Sequence, residues 1–242
     1  MPERIHKIIS SHGAASRREA ERMILAGRVT VNGAFATIGQ SAQYGIDLIE
    51  IDGVPLAAKA SYLYIALNKP RGYVTTMHDE RGRKTVVSLL DGVDSRVYPI
   101  GRLDINTSGL LLLTNDGEFA NTIMHPSYEV TKTYEAHVNG DDIVEASELL
   151  RQPMEIDAHP VQALSVSIVT MAEGSGKLEI AIKEGRNRQI RKMCSIAGLE
   201  VSYLKRVSIG PVKLGSLRTG KWRQLTEEER LSLKKNSEAC MM

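Results

Sequence analysis

From Ser16 to Gly27 the apolar residues Ala20, Met23 and Ile24 return at the spacing of one helical face, while Arg17, Arg18 and Arg22 fall away from it. A short helix with a cationic outer face is predicted here. Ser16-Arg-Arg-Glu19 forms a capping box that starts it, and Gly27 ends it. The period then drops to two. Val29-Thr-Val31 alternates as a strand does, and Asn32-Gly33 supplies positive φ at both centres of a tight hairpin turn. Leu48-Ile49-Glu50-Ile51 offers a returning strand, and Pro55 with the small-residue run 56–60 reads as a connection. The pattern therefore separates a small module over residues 1–58 from the remainder, 59–242, and Arg28 joins Arg17, Arg18 and Arg22 as the module's candidate polyanion contacts.

Beyond residue 60 short β-favouring segments dominate: 62–67, 97–100, 110–114, 132–138, 166–169, 177–182 and 201–203. Helical patterns are fewer, at 118–124 behind the cap Asp116, 143–150, 187–197 closing at Gly198, and after Thr226, whose Glu229 completes a second capping box. The irregular alternation excludes repeated βαβ units and predicts an α+β fold around a mixed, largely antiparallel sheet.

Composition narrows the function. The chain has 242 residues, 42% hydrophobic and 25% charged, enough to bury a core. The longest apolar runs, such as Leu110 to Leu113, fall far short of the roughly 20 residues that cross a bilayer, and the first residues lack the apolar stretch of a signal peptide. A cytoplasmic protein is expected. Two cysteines, Cys194 and Cys240, provide neither a disulfide framework nor a thiolate metal site and read as inert. Charge is segregated: 14 basic against 10 acidic residues in 1–103, 3 against 13 in 104–180, and 14 against 6 in 181–242. Within 183–223 the balance is 11 basic to 2 acidic, which suits a nucleic acid better than a small neutral substrate.

The six histidines show no metal-ligand spacing, no Gly-x-x-x-x-Gly-Lys-Ser/Thr loop cradles a phosphate, and no Gly-x-Ser-x-Gly elbow is present. No metal and no nucleotide cofactor is expected. What remains is Asp104, on a polar loop between a strand ending at Gly101 and an apolar strand resuming at Leu110. An ordinary polar turn would look the same. Lys183-Glu-Gly-Arg-Asn-Arg-Gln-Ile-Arg-Lys192 crowds Arg186, Arg188, Arg191 and Lys192 around the entry to a helix, where backbone N–H groups add to the positive field. These cations suit phosphates, or one of them a catalytic carboxylate.

Five segments in order, Asn68-Lys-Pro-Arg-Gly-Tyr-Val-Thr-Thr76, Gly101-Arg-Leu-Asp104, Asn106-Thr-Ser-Gly-Leu-Leu-Leu112, Lys132-Thr-Tyr134 and Glu184-Gly-Arg-Asn-Arg-Gln-Ile-Arg191, resemble the RsuA/RluB family of RNA pseudouridine synthases. The N-terminal module, through Ser16-Arg-Arg-Glu-Ala-Glu-Arg22 and Gly27-Arg-Val-Thr-Val-Asn-Gly33, resembles the alpha-L RNA-binding domain found also in a small-subunit ribosomal protein. The resemblance implies a sheet split by a catalytic cleft and a uridine isomerised to pseudouridine without cofactor or metal. It implies that Asp104 acts on the ribose and that a buried arginine keeps its carboxylate ionised; by motif match this is Arg186, with Arg188 and Arg191 in the same turn as alternatives. Tyr134 and Ile190 would pack the two faces of the uracil, and Arg102 would hold the flipped nucleotide or the space it leaves. The 106–112 segment and Asn121-Thr-Ile-Met-His-Pro126 resemble members acting on large-subunit ribosomal RNA more than small-subunit ones. The implied partner is ribosomal RNA or an assembling ribosomal particle, met by a monomer. A non-catalytic RNA-binding or ribosome-assembly protein would use the same basic surfaces.

Overall fold

The computed structural model describes residues 1–239, and Cys240 lies outside the described residues. The chain divides into two units. Met1–Leu63, Val93–Val97 and Asn115–Gly117 form the first, and Tyr64–Gly92, Tyr98–Thr114 and the residues from Glu118 onward form the second.

In the first unit β1 (Glu3–Arg4) leads into α1 (Ile5–Ser11) and α2 (Arg17–Leu25), followed by β2 (Val29–Val31), β3 (Ala34–Phe35), β4 (Ser41–Ala42), β5 (Ile49–Ile51) and β6 (Val54–Pro55). Ser16 caps α2 by accepting from Glu19 N at 3.1 Å. The Glu19 carboxylate instead accepts from Arg22 at 3.1 Å, one turn along its own helix, where it meets a full positive charge. Asn32 at φ 52° and Gly33 at φ 80° make the turn between β2 and β3. Ile5, Ile8 and Ile9 from α1 and Ala20 and Ile24 from α2 pack on Val29, Val31 and Ile49, all buried. Arg17, Arg18, Arg22 and Arg28 remain exposed on the outside.

The second unit contains β7 (Tyr64–Lys69), β8 (Tyr98–Ile100), β9 (Ser108–Thr114), α3 (Gly117–Met124), β10 (Lys132–Asn139), α4 (Ile143–Leu149), β11 (Met154–Ile156), β12 (His159–Val161), β13 (Ser165–Ala172), β14 (Ser175–Ile182), α5 (Gln189–Ile196), β15 (Glu200–Ile209), β16 (Val212–Lys213), β17 (Trp222–Gln224) and α6 (Glu227–Ala239). Nine of these strands form one sheet in the order β13-β14-β10-β15-β9-β7-β17, with β16 on β15 and β8 on β9. Every pair is antiparallel except β15 with β9. The fold is therefore α+β around a mixed, mainly antiparallel sheet. β9 is buried along its whole length, which is why Leu110 to Leu113 is an unbroken apolar run and not an alternating one. Its Leu110 and Leu112 pack with Phe119, Ala120 and Ile123 of α3. Both halves of the capping box at α6 form, with Glu229 N donating to Thr226 Oγ1 at 3.1 Å and Thr226 N to Glu229 Oε2 at 2.9 Å. Among the described residues no helix is long and apolar enough to cross a membrane.

Candidate active site

Asp104 is half-buried on the short connection between β8 and β9, and that connection is tied down by its backbone. The fully buried Lys69, last residue of β7, donates from Nζ to the carbonyls of Asp104 at 3.0 Å, Thr107 at 2.8 Å and Pro70 at 3.2 Å. Gly72 N donates to Ile105 O at 2.8 Å. The hydroxyl of the buried Thr75 donates to Leu103 O at 2.7 Å and accepts from Leu103 N at 3.2 Å. Four carbonyls of the connection, those of Leu103, Asp104, Ile105 and Thr107, are thereby held by Lys69 and the segment that follows it, and the carboxylate is left free of these duties. Burial pushes the Lys69 ammonium down to about 8, against the attraction of Asp104 and aided by the repulsion of Arg206. Lys69→Met should lower stability by about 1–3 kcal/mol, since it relieves a buried charge but orphans three carbonyls. Denaturant midpoints of the two proteins check this, and an unchanged midpoint would remove Lys69 from this role.

Gly109 closes the other end of the connection. It sits at φ +105°, and a Cβ there would lie 2.2 Å from Arg206 O and 2.6 Å from Arg206 N. Only glycine lets β9 pass so close to β15. Neighbouring Ser108 donates to the Tyr203 hydroxyl at 2.8 Å.

Asp104 lines a cavity of about 470 Å³ together with Arg102, Tyr134, Ile190, Arg206 and the turn 185–189. Tyr134 of β10 lies directly opposite Arg206 of β15 in the strand register, which sets both side chains on one sheet face. Arg206 is 5% exposed and Tyr134 8%. Arg206 Nε donates to Leu110 O at 2.8 Å, its Nη1 reaches the Tyr134 hydroxyl at 3.5 Å, and its Nη2 is buried with no hydrogen-bond partner among the described residues. A guanidinium nitrogen left in that condition is costly unless an anion or a substrate oxygen completes it. Lys132, also in the wall, is pushed down to about 8 by burial and by Arg206. The field at the cavity is cationic around one carboxylate.

The arginine turn is arranged differently from the motif-based expectation. Arg186 is exposed and its Nε donates to Glu184 Oε2 at 2.8 Å, so the carboxylate two residues before it takes the partner assigned to Asp104. Arg206, which the sequence reading missed, is the buried arginine of the cavity. Arg188 is exposed, holds a left-handed backbone at φ 52°, and precedes α5. Arg191 donates to Val201 O at 2.7 Å and to Asn106 O at 3.2 Å, a tether from α5 to the connection carrying Asp104. Lys192 pairs with Asp157 and Arg28 with Asp52. Arg22 pairs with Glu19, whereas Arg17 and Arg18 make no ion pair among the described residues. Ile190 is buried behind the turn, next to Gln189, whose Oε1 accepts from Arg186 N at 3.0 Å. Burial pushes the Cys194 thiol up to about 12, which makes it an inert core group.

Residues 63–196 match the family described as RNA pseudouridylate synthase, and residues 3–40 match the S4 domain. An uncharacterized RNA pseudouridine synthase of Aquifex aeolicus is 42% identical over 95% of this chain and 92% of its own length. The ribosomal large subunit pseudouridine synthase B of Bacillus subtilis is 42% identical over 94% of this chain and 93% of its own. A crystal structure of a pseudouridylate synthase superposes with a TM-score of 0.67 at 27% identity, covering 95% of this chain and 99% of that one. The family match runs through the connection that carries Asp104, the strand that carries Tyr134 and the arginine turn, and on this footing the chain belongs to the RNA pseudouridylate synthase family.

Proposed function

We propose that this enzyme converts a uridine of large-subunit ribosomal RNA to pseudouridine, with Asp104 as the group that acts on the ribose. The observation that carries this reading is a carboxylate presented into a cationic cavity of about 470 Å³ by a connection held through its backbone. The preference for large-subunit RNA rests on the named Bacillus subtilis relative, which aligns over nearly the full length of both chains.

In the proposed reaction the target nucleotide leaves its stack, because Asp104 cannot otherwise reach the sugar. Tyr134 and Ile190 flank the uracil, and the exposed Arg102 holds the nucleotide at the cavity mouth. Asp104 breaks the bond between N1 and the ribose, as nucleophile at the anomeric carbon or as base at the 2′ position. Both routes use the ionised carboxylate, and the free Nη2 of Arg206 supplies a donor for the charge that shifts during the step. The uracil then turns and C5 joins the ribose carbon, displacing the Asp104 carboxylate in the nucleophile route or with return of the 2′ proton from Asp104 in the base route; the C5 proton then leaves and N1 takes one up. No atom is gained or lost overall, so the isomerisation needs no cofactor. The enzyme acts as a monomer in the cytoplasm, on ribosomal RNA or an assembling particle.

The N-terminal unit serves as an RNA anchor through Arg17, Arg18, Arg22 and Arg28, with Arg188, Arg191 and Lys192 contributing around the cavity. Arg17→Ala and Arg18→Ala should each reduce the slope of log affinity against log salt by about 0.7 to 0.9 while turnover at saturating RNA stays unchanged. Binding titrations at several salt concentrations test this, and unchanged slopes would take these arginines off the RNA. The function itself is tested with purified protein and ribosomal RNA transcripts labelled with tritium at uridine C5. Label is released from the large-subunit transcript in step with pseudouridine; release from neither transcript, or from the small-subunit transcript alone, contradicts the proposal.

A further inference from the structure

A second cavity of about 760 Å³ adjoins the first, and Met124, Lys132, Gly185 and Arg186 line both. Its far side is formed by His125, Glu129, Ala163, Leu164 and Lys183. Two features set it apart from an ordinary surface hollow. Met124 and Leu164, 49% and 55% exposed, bring large apolar side chains to it, so the cavity contains apolar surface that the described residues leave open. Lys132, Lys183 and Arg186 supply three cations, of which Lys183 and Arg186 are each paired with a carboxylate. The two carboxylates present are already engaged, Glu129 by Lys183 at 2.6 Å and Glu184 by Arg186 at 2.8 Å. Lys132 donates to the Lys183 carbonyl at 2.7 Å and makes no ion pair among the described residues, and burial disfavours its charge unless an anion arrives.

Apolar surface for a flat ring beside cations for a phosphate is the chemistry of one nucleotide, and a shared wall with the uridine cavity means that its occupant lies next to the target. We propose that this cavity binds the nucleotide adjacent to the target uridine, its base against Leu164 and Met124 and its phosphate toward Lys132 and Arg186. The site makes the enzyme a reader of one flanking position, in addition to the uridine it modifies. Arg186 stands in the wall shared by the two cavities and its partner Glu184 in the wall of the second, where an incoming phosphate competes with Glu184 for the guanidinium. This inference rests on the pseudouridine-forming reading of the first cavity.

The experiment compares the full-length protein with Leu164→Glu on a large-subunit RNA fragment and on copies made abasic at the 5′ or the 3′ neighbour of the target. Leu164 is exposed and its backbone N–H bond to Ala181 O does not depend on the side chain, so thermal melting should match between the two proteins. For the parent, the abasic change at one flank is expected to lower kcat/KM by roughly tenfold, the scale of one lost pocket contact. Leu164→Glu should cost about as much on the intact RNA and nothing further on that abasic RNA, because both changes remove the same contact. Losses that multiply at both flanks, or a Leu164→Glu protein within about twofold of the parent on intact RNA, would overturn the site. Failure of the parent to form pseudouridine on the intact fragment would instead overturn the reading of the first cavity, and this inference with it.

Discussion

Asp104→Asn is expected to abolish pseudouridine formation while the protein keeps its fold and its affinity for RNA. The amide has the size and shape of the carboxylate but can neither attack a carbon nor accept a proton. The loss in turnover should be at least about 10³-fold, as for the removal of a sole nucleophile or base. The fold should survive because the connection is held through main-chain groups, by Lys69, Gly72 and Thr75, and none of these bonds involves the Asp104 side chain. Tritium release, a binding isotherm and a melting curve on one preparation separate the three quantities. Residual turnover within about tenfold of the parent would remove Asp104 from the chemistry.

Arg206→Met carries the second large effect. Methionine fills a similar volume, and replacing a buried charge by an apolar side chain of matching size is often tolerated by the fold. Turnover is another matter. The guanidinium is the buried donor set of the cavity, with Nε committed to Leu110 O and Nη2 unpartnered, and removing such a donor is expected to lower kcat by about 10²- to 10³-fold. Arg206→Lys should recover little of this, since one ammonium cannot hold the Leu110 carbonyl and serve the cavity from the same fixed plane. A Lys variant with parental kcat would show that a positive charge alone suffices and would refute the donor role.

Much of this site was legible because its parts obey local rules. The polar run from Arg102 to Ser108 between two apolar strands marked a loop with a carboxylate, and Asn32-Gly33, Ser16 and Thr226 marked turn and helix ends that form as read. The pieces that were missed are those in which tertiary burial overrides side-chain polarity. The strand reading stopped at Leu67, yet β7 continues through the buried Asn68 and Lys69, because the Asp104 connection supplies carbonyls that no sequence window contains. The strand after Gly198 was read only to Tyr203, while β15 runs to Ile209 and carries Arg206. A signal existed: period two from Leu204 places Arg206 on the same face as a buried leucine. The hairpin of β11 and β12 escaped notice because its turn is Asp157-Ala158, at φ 52° and 60°, without the glycine that usually announces such a turn. Arg186 is assigned to Asp104 by motif, whereas in the structure its Nε donates to Glu184, two residues away, a competitor that the motif does not weigh.

Pseudouridine formation in large-subunit ribosomal RNA through Asp104 can be read directly in cells. Its most direct test is to map pseudouridines in ribosomal RNA from cells lacking the gene and carrying either the parent protein or Asp104→Asn. One large-subunit position is expected to be pseudouridine with the parent and uridine with Asp104→Asn or with no protein. A full set of large-subunit pseudouridines in the deleted strain, or restoration of a missing one by Asp104→Asn, would contradict it.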